Sequence, residues 1–466
     1  MEKPRRSQPA QPVRARASRR KFLKQTALAT GAFAFPEFIP ASALGKDGTV
    51  APSNRVTLGT IGTGNQGMND LRNFVRDSRV QVIAVCDVNR ESPGYWDGKV
   101  AGREIGRKFV TDHYAKQKPS GKHRGVAAYE DFRELLARSD LDAVHVATPD
   151  HWHALPVILA AQAKKDLYCQ KPLSLTIAEG RAMSDAVSKC EIIFQTGSQQ
   201  RSDSRFRLAS ELARNGYLGR IHTVKCGQPS GHPDFGRTGD RKAPAPVPEG
   251  FDYNMWLGPA PDAPYSPARC HVNFRWNFDY SGGQVTDWGG HHPDIAQWGL
   301  GTMLTGPVAI RNARGILPPR DALWNTAEHY WFEGHYENGA KIIISDQFPN
   351  GVRFEGTDGW VFVQRGGIEA SNPDLLKTEF RAADQRLYVS ENHYTNFIDC
   401  VLARKETVAP CEQAHRSITI CHLGNIAMQL GRDLKWDPKR EQIIGDTAAN
   451  AMLNRPYRAP WKLPVV

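Results

Sequence analysis

The chain has 466 residues, 40% of them apolar and 23% charged, which allows two or three domains with cores of their own. Its formal charge of +11 is concentrated in residues 1–43, where nine Lys/Arg face Glu2 and Glu37; that net of +7 leaves only +4 for the remainder. No Arg/Lys block with interleaved aromatics occurs in the remainder, so no nucleic-acid partner is expected.

The first element in chain order is a leader. Ser18-Arg19-Arg20-Lys21-Phe22-Leu23-Lys24 is a twin-arginine signature, a short apolar stretch runs from Thr26 to Phe35, and Ala41-Ser42-Ala43 offers a small-x-small cleavage site. Residues 1–43 are therefore expected to be a signal peptide read by the twin-arginine export machinery, placing the mature chain in the periplasm or outside the cell. A disordered basic tail is the alternative. The apolar run is too short to cross a bilayer, and no integral membrane segment is expected. Residues 44–54, small and polar with Pro and Gly, read as a linker.

Residues 55–175 alternate short apolar runs with amphipathic patterns. Val56–Ile61, Val80–Cys86, Ala143–Ala147, Asp166–Cys169 and, just beyond, Ile192–Thr196 read as buried strands. Met68–Arg76, Tyr129–Ala137, Leu155–Lys164 and Thr176–Ser188 read as helices. That alternation predicts a parallel sheet covered on both faces. The polar, Gly- and Lys-rich stretch 89–125 reads as an insertion at the sheet's rim.

A second α/β domain is expected over 176–440, with a tail at 441–466. Ile221–Cys226, Tyr330–Tyr336, Ala340–Gln347 and Gly359–Gln364 suit a large, open, mostly antiparallel sheet. His393–Ala403 and Glu412–Arg432 suit helices packing back on the first domain, and 228–285 reads as an aromatic-rich, Pro-rich loop region. The eight cysteines show no CxxC pair or regular spacing, which indicates neither a disulfide framework nor a zinc site; Cys86 and Cys169 fall in core strands.

Gly62-Thr63-Gly64-Asn65-Gln66-Gly67 fits GxGxxG, follows a strand, opens a helix, and precedes Asp87 at the end of the second strand. In that context Gly62 permits a tight turn, Gly64 admits a pyrophosphate, and Gly67 lets helix and strand pack closely. The helix N-terminus supplies free N–H groups to the phosphates. Asp87 can accept from both ribose hydroxyls and would repel a 2′-phosphate, so NAD is the expected cofactor, with Arg90 the one nearby cation that could favour NADP.

Two further segments and a downstream one resemble the Gfo/Idh/MocA family of oxidoreductases: Ala147-Thr148-Pro149-Asp150-His151-Trp152-His153-Ala154, Gln170-Lys171-Pro172, and Gly282-Gly283 with Asp287-Trp288-Gly289-Gly290-His291-His292-Pro293-Asp294. The match runs over roughly 55–300 in the expected order. It implies a Rossmann domain followed by an α/β domain whose open sheet often mediates oligomers, so a homo-oligomer is expected. It also implies Thr148, Pro149, His153 and Lys171 at the cofactor and a small carbohydrate or polyol as substrate. Gln170 departs from the family's usual Glu and brings no negative charge beside Lys171.

Oxidising an alcohol with NAD needs a base and a group that stabilises the developing alkoxide. Lys171 follows a strand at the sheet's carboxyl edge and can bond the reacting hydroxyl. His291 is the candidate base, with an imidazole that ordinarily titrates near neutral pH. Asp287, four residues earlier, would share its helix face and orient it, or bind a neighbouring hydroxyl. An ordinary helix salt bridge is the bland alternative. A metal held by Asp287, His291, His292 and Asp294 is not expected, because four ligands within eight residues cannot converge from one helix. Trp256, Arg275, Trp276, Asn277 and Asp279 suit a sugar-binding wall or a packed interface equally. An NAD-dependent oxidoreductase of sugars, glycosides or polyols is the leading expectation. A glycoside hydrolase or lyase using NAD in a transient oxidation–elimination, and a binding protein without turnover, remain open.

Overall fold

The structure, a computed structural model, describes residues 54–466. The expected signal peptide over 1–43 and all but the last residue of the 44–54 linker lie outside the described residues.

The first sheet comprises β1 (Val56–Ile61), β2 (Val80–Cys86), β3 (Ala127–Tyr129), β4 (Ala143–Val146), β5 (Asp166–Cys169) and β6 (Phe194–Thr196), all parallel, in the order β3-β2-β1-β4-β5-β6. Leu58, Val82, Ala84, Val144, Val146 and Leu167 have no accessible surface, as strands sandwiched between helices require. The order reverses between β1's two neighbours, β2 and β4, and crevices for ligands form at the carboxyl edge of such a switch point. The residues that follow these strand ends are Gly62, Asp87, Ala147 and Gln170, so the motif residues are gathered along one edge by topology alone.

The chain departs from expectation in two places here. The sheet runs past residue 175, where the first domain was expected to end, because β6 pairs with β5. The stretch 89–125 is also more than an insertion at the rim. Arg103–Ala115 is a helix that packs on β2 and β3 and buries Gly106, Val110 and Tyr114, one residue per turn.

The second sheet has nine strands: β7 (Ile221–Gly227), β8 (Ala309–Ile316), β9 (His329–His335), β10 (Lys341–Ser345), β11 (Gly351–Gly356), β12 (Trp360–Gln364), β13 (Gly367–Ala370), β14 (Leu434–Asp437) and β15 (Gln442–Ile443). Their order is β13-β12-β11-β7-β10-β9-β8-β14-β15, and only β7–β10 is parallel. The helix Cys411–Leu430 is buried nearly all round because it packs against β6 of one sheet and β8 and β9 of the other. Helix His393–Ala403 returns to pack on β1 and on helix Asn65–Phe74. The tail is integral to the fold: β15 ends the second sheet, and Trp461 meets Trp152 edge to face at 4.9 Å. Among the described residues no helix is long and apolar enough to cross a membrane, and all eight cysteines are unpaired.

Candidate active site

The glycine turn explains itself by close approach. Gly62 has φ +92°, and a Cβ there would lie 2.5 Å from the Ala147 carbonyl oxygen; a Cβ at Gly67 would lie 2.0 Å from that of Gly62. Gly64 faces Tyr95, whose ring a Cβ would meet at 2.9 Å. That ring is fixed from behind by Asn89, which donates to its hydroxyl at 3.0 Å, and by His271, at 4.3 Å between centroids. The Asn65 side chain accepts from the Trp96 amide at 2.7 Å. Residues 89–96 thus cover the glycine turn.

Gly62, Gly64, Asn65, Gln66, Asp87, Thr148, Pro149 and Lys171 all line one elongated cleft along the strand edge. Thr63 does not face it. Its amide and hydroxyl donate to Asp87 Oδ2 at 2.8 and 3.1 Å, while the Asn89 amide donates to Oδ1 at 2.9 Å, so Thr63 orients the carboxylate instead of touching a ligand. These three bonds leave one acceptor position of the Asp87 carboxylate, on Oδ1, for a ribose hydroxyl. The cation near it is Arg103, which donates to the Asp87 carbonyl at 3.1 Å; Arg90 lines a separate surface cleft with Glu104. The cleft thus has the donors and the acceptor that an NAD pyrophosphate and adenosine ribose need.

His153 is corrected from cofactor contact to strut. Buried, it bonds the Pro172 carbonyl at 2.7 Å through Nδ1 and the Thr148 carbonyl at 3.0 Å through Nε2, which ties the two motif segments together. Burial pulls its pKa down to about 4.

A second cavity, of about 750 Å³, adjoins the first. Gln66, Gln170, Lys171 and Arg275 line both. Lys171 thus stands at the junction, with Asp287 and His291 on the second cavity's wall. The three predicted catalytic residues come together, though not as expected. Helix Gln284–Asp287 ends at Asp287, and a new helix runs over His292–Leu300 with His291 as its N-cap. Asp287 and His291 therefore share no helix face. Asp287 Oδ1 accepts from Lys171 Nζ at 2.8 Å and from Arg275 Nε at 3.1 Å, and these two cations hold its carboxyl far below the carboxylate range against burial. Its backbone oxygen accepts a second bond from Lys171 Nζ at 3.1 Å. Asp287 orients Lys171, not His291.

His291 is 4% exposed, its Nδ1 has no partner, and its ring meets Trp288 at 5.9 Å between centroids. Burial first, then the Lys171 and Arg365 charges, press its pKa well below the ordinary imidazole value, so it is neutral throughout the neutral range. Gly290 sets the spacing: a Cβ there would stand 2.7 Å from Lys171 Cβ. The neighbours weighed for a metal are engaged elsewhere. Asp294 takes Arg201 at 2.6 and 2.7 Å, and His292 Nδ1 bonds the Gly227 carbonyl at 2.6 Å. Of the aromatic-rich segment, Trp256 and Arg275 reach the first cleft; Trp276 and Asn277 are buried in the core, and Asp279 faces another cavity.

Asp150, in the quoted motif but not singled out, is the carboxyl that sequence reading missed. It lines the first cleft, is 5% exposed, and accepts from Ser281 Oγ at 2.5 Å. Burial, with repulsion from Asp287, pushes its pKa up to about 7 against the pull of Ser281, Arg275 and Lys171. Nothing local marks it; only its burial does. A carboxyl raised on folding binds its proton more tightly in the folded chain, so its contribution is fully present below about pH 4 and is lost as pH rises through about 7. Asp150→Asn should therefore melt with the wild type near pH 4 and a few degrees above it at pH 8, a difference of a few kcal/mol at most. Equal melting temperatures at pH 8 would show that the carboxyl carries no such strain.

Residues 106–198 match the oxidoreductase family's NAD-binding Rossmann fold, and residues 206–463 its C-terminal alpha/beta domain. An uncharacterized oxidoreductase, YrbE, from Bacillus subtilis is 25% identical over 386 residues, 82% of this chain and 92% of that protein. Myo-inositol 2-dehydrogenase from Thermotoga maritima is 37% identical over 98 residues, 21% of this chain and 29% of that protein. The crystal structure of scyllo-inositol dehydrogenase from Lactobacillus casei, with bound NAD(H) and scyllo-inositol, superposes with a TM-score of 0.54 at 16% identity, over 82% of this chain and 99% of its own. With both family domains matched in order over more than half its length, the chain belongs to the Gfo/Idh/MocA oxidoreductase family.

Proposed function

We propose that this protein oxidises or reduces a hydroxyl-bearing carbon of a sugar, glycoside or polyol, with NAD held in the cleft along the first sheet. One observation carries the reading: Lys171 stands where that cleft opens into the second cavity, locked by Asp287 and beside a neutral His291. Bound NAD supplies the hydride acceptor. The chain's own residues do the rest. The glycine turn and the N-terminus of helix Asn65–Phe74 hold the pyrophosphate, and Asp87 holds the ribose. The Lys171 ammonium donates to the substrate oxygen, and His291 takes the hydroxyl proton.

The leader bears on how the cofactor is kept. We infer that Ser18–Lys24 and Ala41-Ser42-Ala43 direct twin-arginine export of the folded, cofactor-loaded chain to the periplasm or beyond, where no free NAD pool is expected. Residues 89–96, folded over the glycine turn, support a cofactor that stays bound and is recycled by a second substrate. We expect copies of the chain to associate through the face of the nine-stranded sheet that its helices leave open.

Denaturing the purified native protein and analysing the released small molecules by mass spectrometry is the test. About one nicotinamide dinucleotide per chain is the expected result, and none would contradict the tightly bound form. Sugars and glycosides supplied to the native protein should then reduce the bound nicotinamide. Release of an aglycone without net reduction would assign the hydrolytic outcome instead.

A further inference from the structure

The second cavity contains three cations, and one of them has no partner. Lys171 and Arg275 both bond Asp287. Arg365 lines the same wall, yet no hydrogen bond or salt bridge among the described residues engages its guanidinium. Its mount is rigid. It occupies the two-residue turn between β12 and β13, where Gln364 pairs with Gly367 and Gly366 takes φ +89°. Its Cζ lies 4.9 Å from the centroid of Trp288, the same indole that packs against His291. A guanidinium held over an indole by cation–π attraction keeps its N–H donors for a ligand. Arg365 is exposed at the tip of that turn and so open to a ligand entering the cavity.

The remaining acid of the cavity does not balance this charge, since Asp203 is bonded to Arg205 at 2.6 and 3.1 Å. On the cavity wall, Trp96 and Phe235 stack at 4.1 Å and 17°, with Trp96 44% exposed. That supplies a flat apolar surface of the kind sugar rings cover.

Resting on the oxidoreductase reading above, we infer that the substrate is a sugar acid: its carboxylate docks on Arg365, one indole away from the Lys171–His291 pair that acts on its hydroxyl. A carboxylate matches the planar fork in two parallel bonds. A neutral sugar would leave this cation of the cavity wall without a counter-charge.

The test uses the full-length protein with its bound cofactor and follows reduction of the nicotinamide by glucose, glucuronate and glucose 6-phosphate. Glucuronate should exceed glucose in kcat/KM by about 30-fold, in keeping with one charge-assisted bidentate contact. In Arg365→Gln that ratio should collapse to within about 3-fold, chiefly through KM, because the contact is made equally in ground and transition states. Arg365→Lys should fall between, keeping the charge and losing the fork. Equal use of glucose and glucuronate by the wild type, or a ratio unchanged in Arg365→Gln, overturns the assignment while leaving the oxidoreductase reading intact. A preference for glucose 6-phosphate replaces the carboxylate with a phosphate and overturns it too. Reduction by none of the three removes the oxidoreductase reading and this one with it.

Discussion

Lys171→Met should lower kcat by about three orders of magnitude while leaving NAD content and melting temperature close to those of the wild type. Methionine keeps most of the stem, which packs against Gly290, and removes the ammonium. Asp287 retains Arg275 at 3.1 Å, so the half-buried carboxylate is not orphaned and the fold has no reason to yield. What disappears is the donor aimed at the substrate oxygen, an interaction that strengthens as negative charge develops there. The loss should fall equally on kcat and kcat/KM. Lys171→Arg is not a rescue, because a bulky planar guanidinium cannot replace one compact ammonium that passes Gly290 and bonds both the Asp287 carbonyl and Oδ1. Single-turnover reduction of the bound nicotinamide measures the effect. Retention of activity to within about 10-fold, or loss of bound NAD, would move Lys171 out of the chemistry and into cofactor binding.

How far such a site can be read before folding depends on whether its logic is local. The glycine turn, Asp87 and Lys171 each sit next to a strand end, and apolar runs locate strand ends well; β1, β2 and β5 have the bounds the sequence suggests. The helix over Arg103–Ala115 was obscured because only three of its positions are buried and a polar, glycine-containing segment surrounds it. The Asp287–His291 spacing of four suggests one helix, but Gly289 and Gly290 lie between them, and the chain breaks there to let Lys171 pass. Asp150 acquires its character chiefly from burial, with repulsion from Asp287 added. Arg365 arrives from a hairpin 74 residues after His291, a distance over which no periodicity speaks. The same limit applies to Gln170, which in isolation reads as a missing negative charge.

That charge is present, one hydrogen bond away. Asp70, on helix Asn65–Phe74 and fully buried, accepts four bonds: Gln66 Nε2 and the Tyr394 hydroxyl on Oδ1, both at 2.7 Å, and Gln170 Nε2 at 2.7 Å and His145 Nε2 at 2.8 Å on Oδ2. Four donors saturate a carboxylate, and the Gln170 oxygen in turn accepts from the Lys171 amide at 3.3 Å. Gln170→Glu would therefore set two carboxyl groups in contact within the core. Either one proton is trapped between them or an uncompensated charge is buried, and the cost should reach about 3 kcal/mol at pH 8 and shrink toward pH 5 as the shared proton binds. The sign follows from linkage: the pair takes up a proton in the folded chain at a pH where the unfolded carboxyls have lost theirs, so stability falls as pH rises. Adding Asp70→Asn should restore most of it. The oxygen of the new amide can keep Gln66 and Tyr394. Its nitrogen can donate to the introduced carboxylate and to a His145 ring that has moved its proton to Nδ1, an atom without a partner in the wild type. Urea unfolding of the wild type, both single variants and the double variant at pH 5 and pH 8 decides the matter. A Gln170→Glu protein as stable as the wild type at pH 8, or a double variant no better than the sum of its singles, would show that Asp70 does not stand in for the acid beside Lys171.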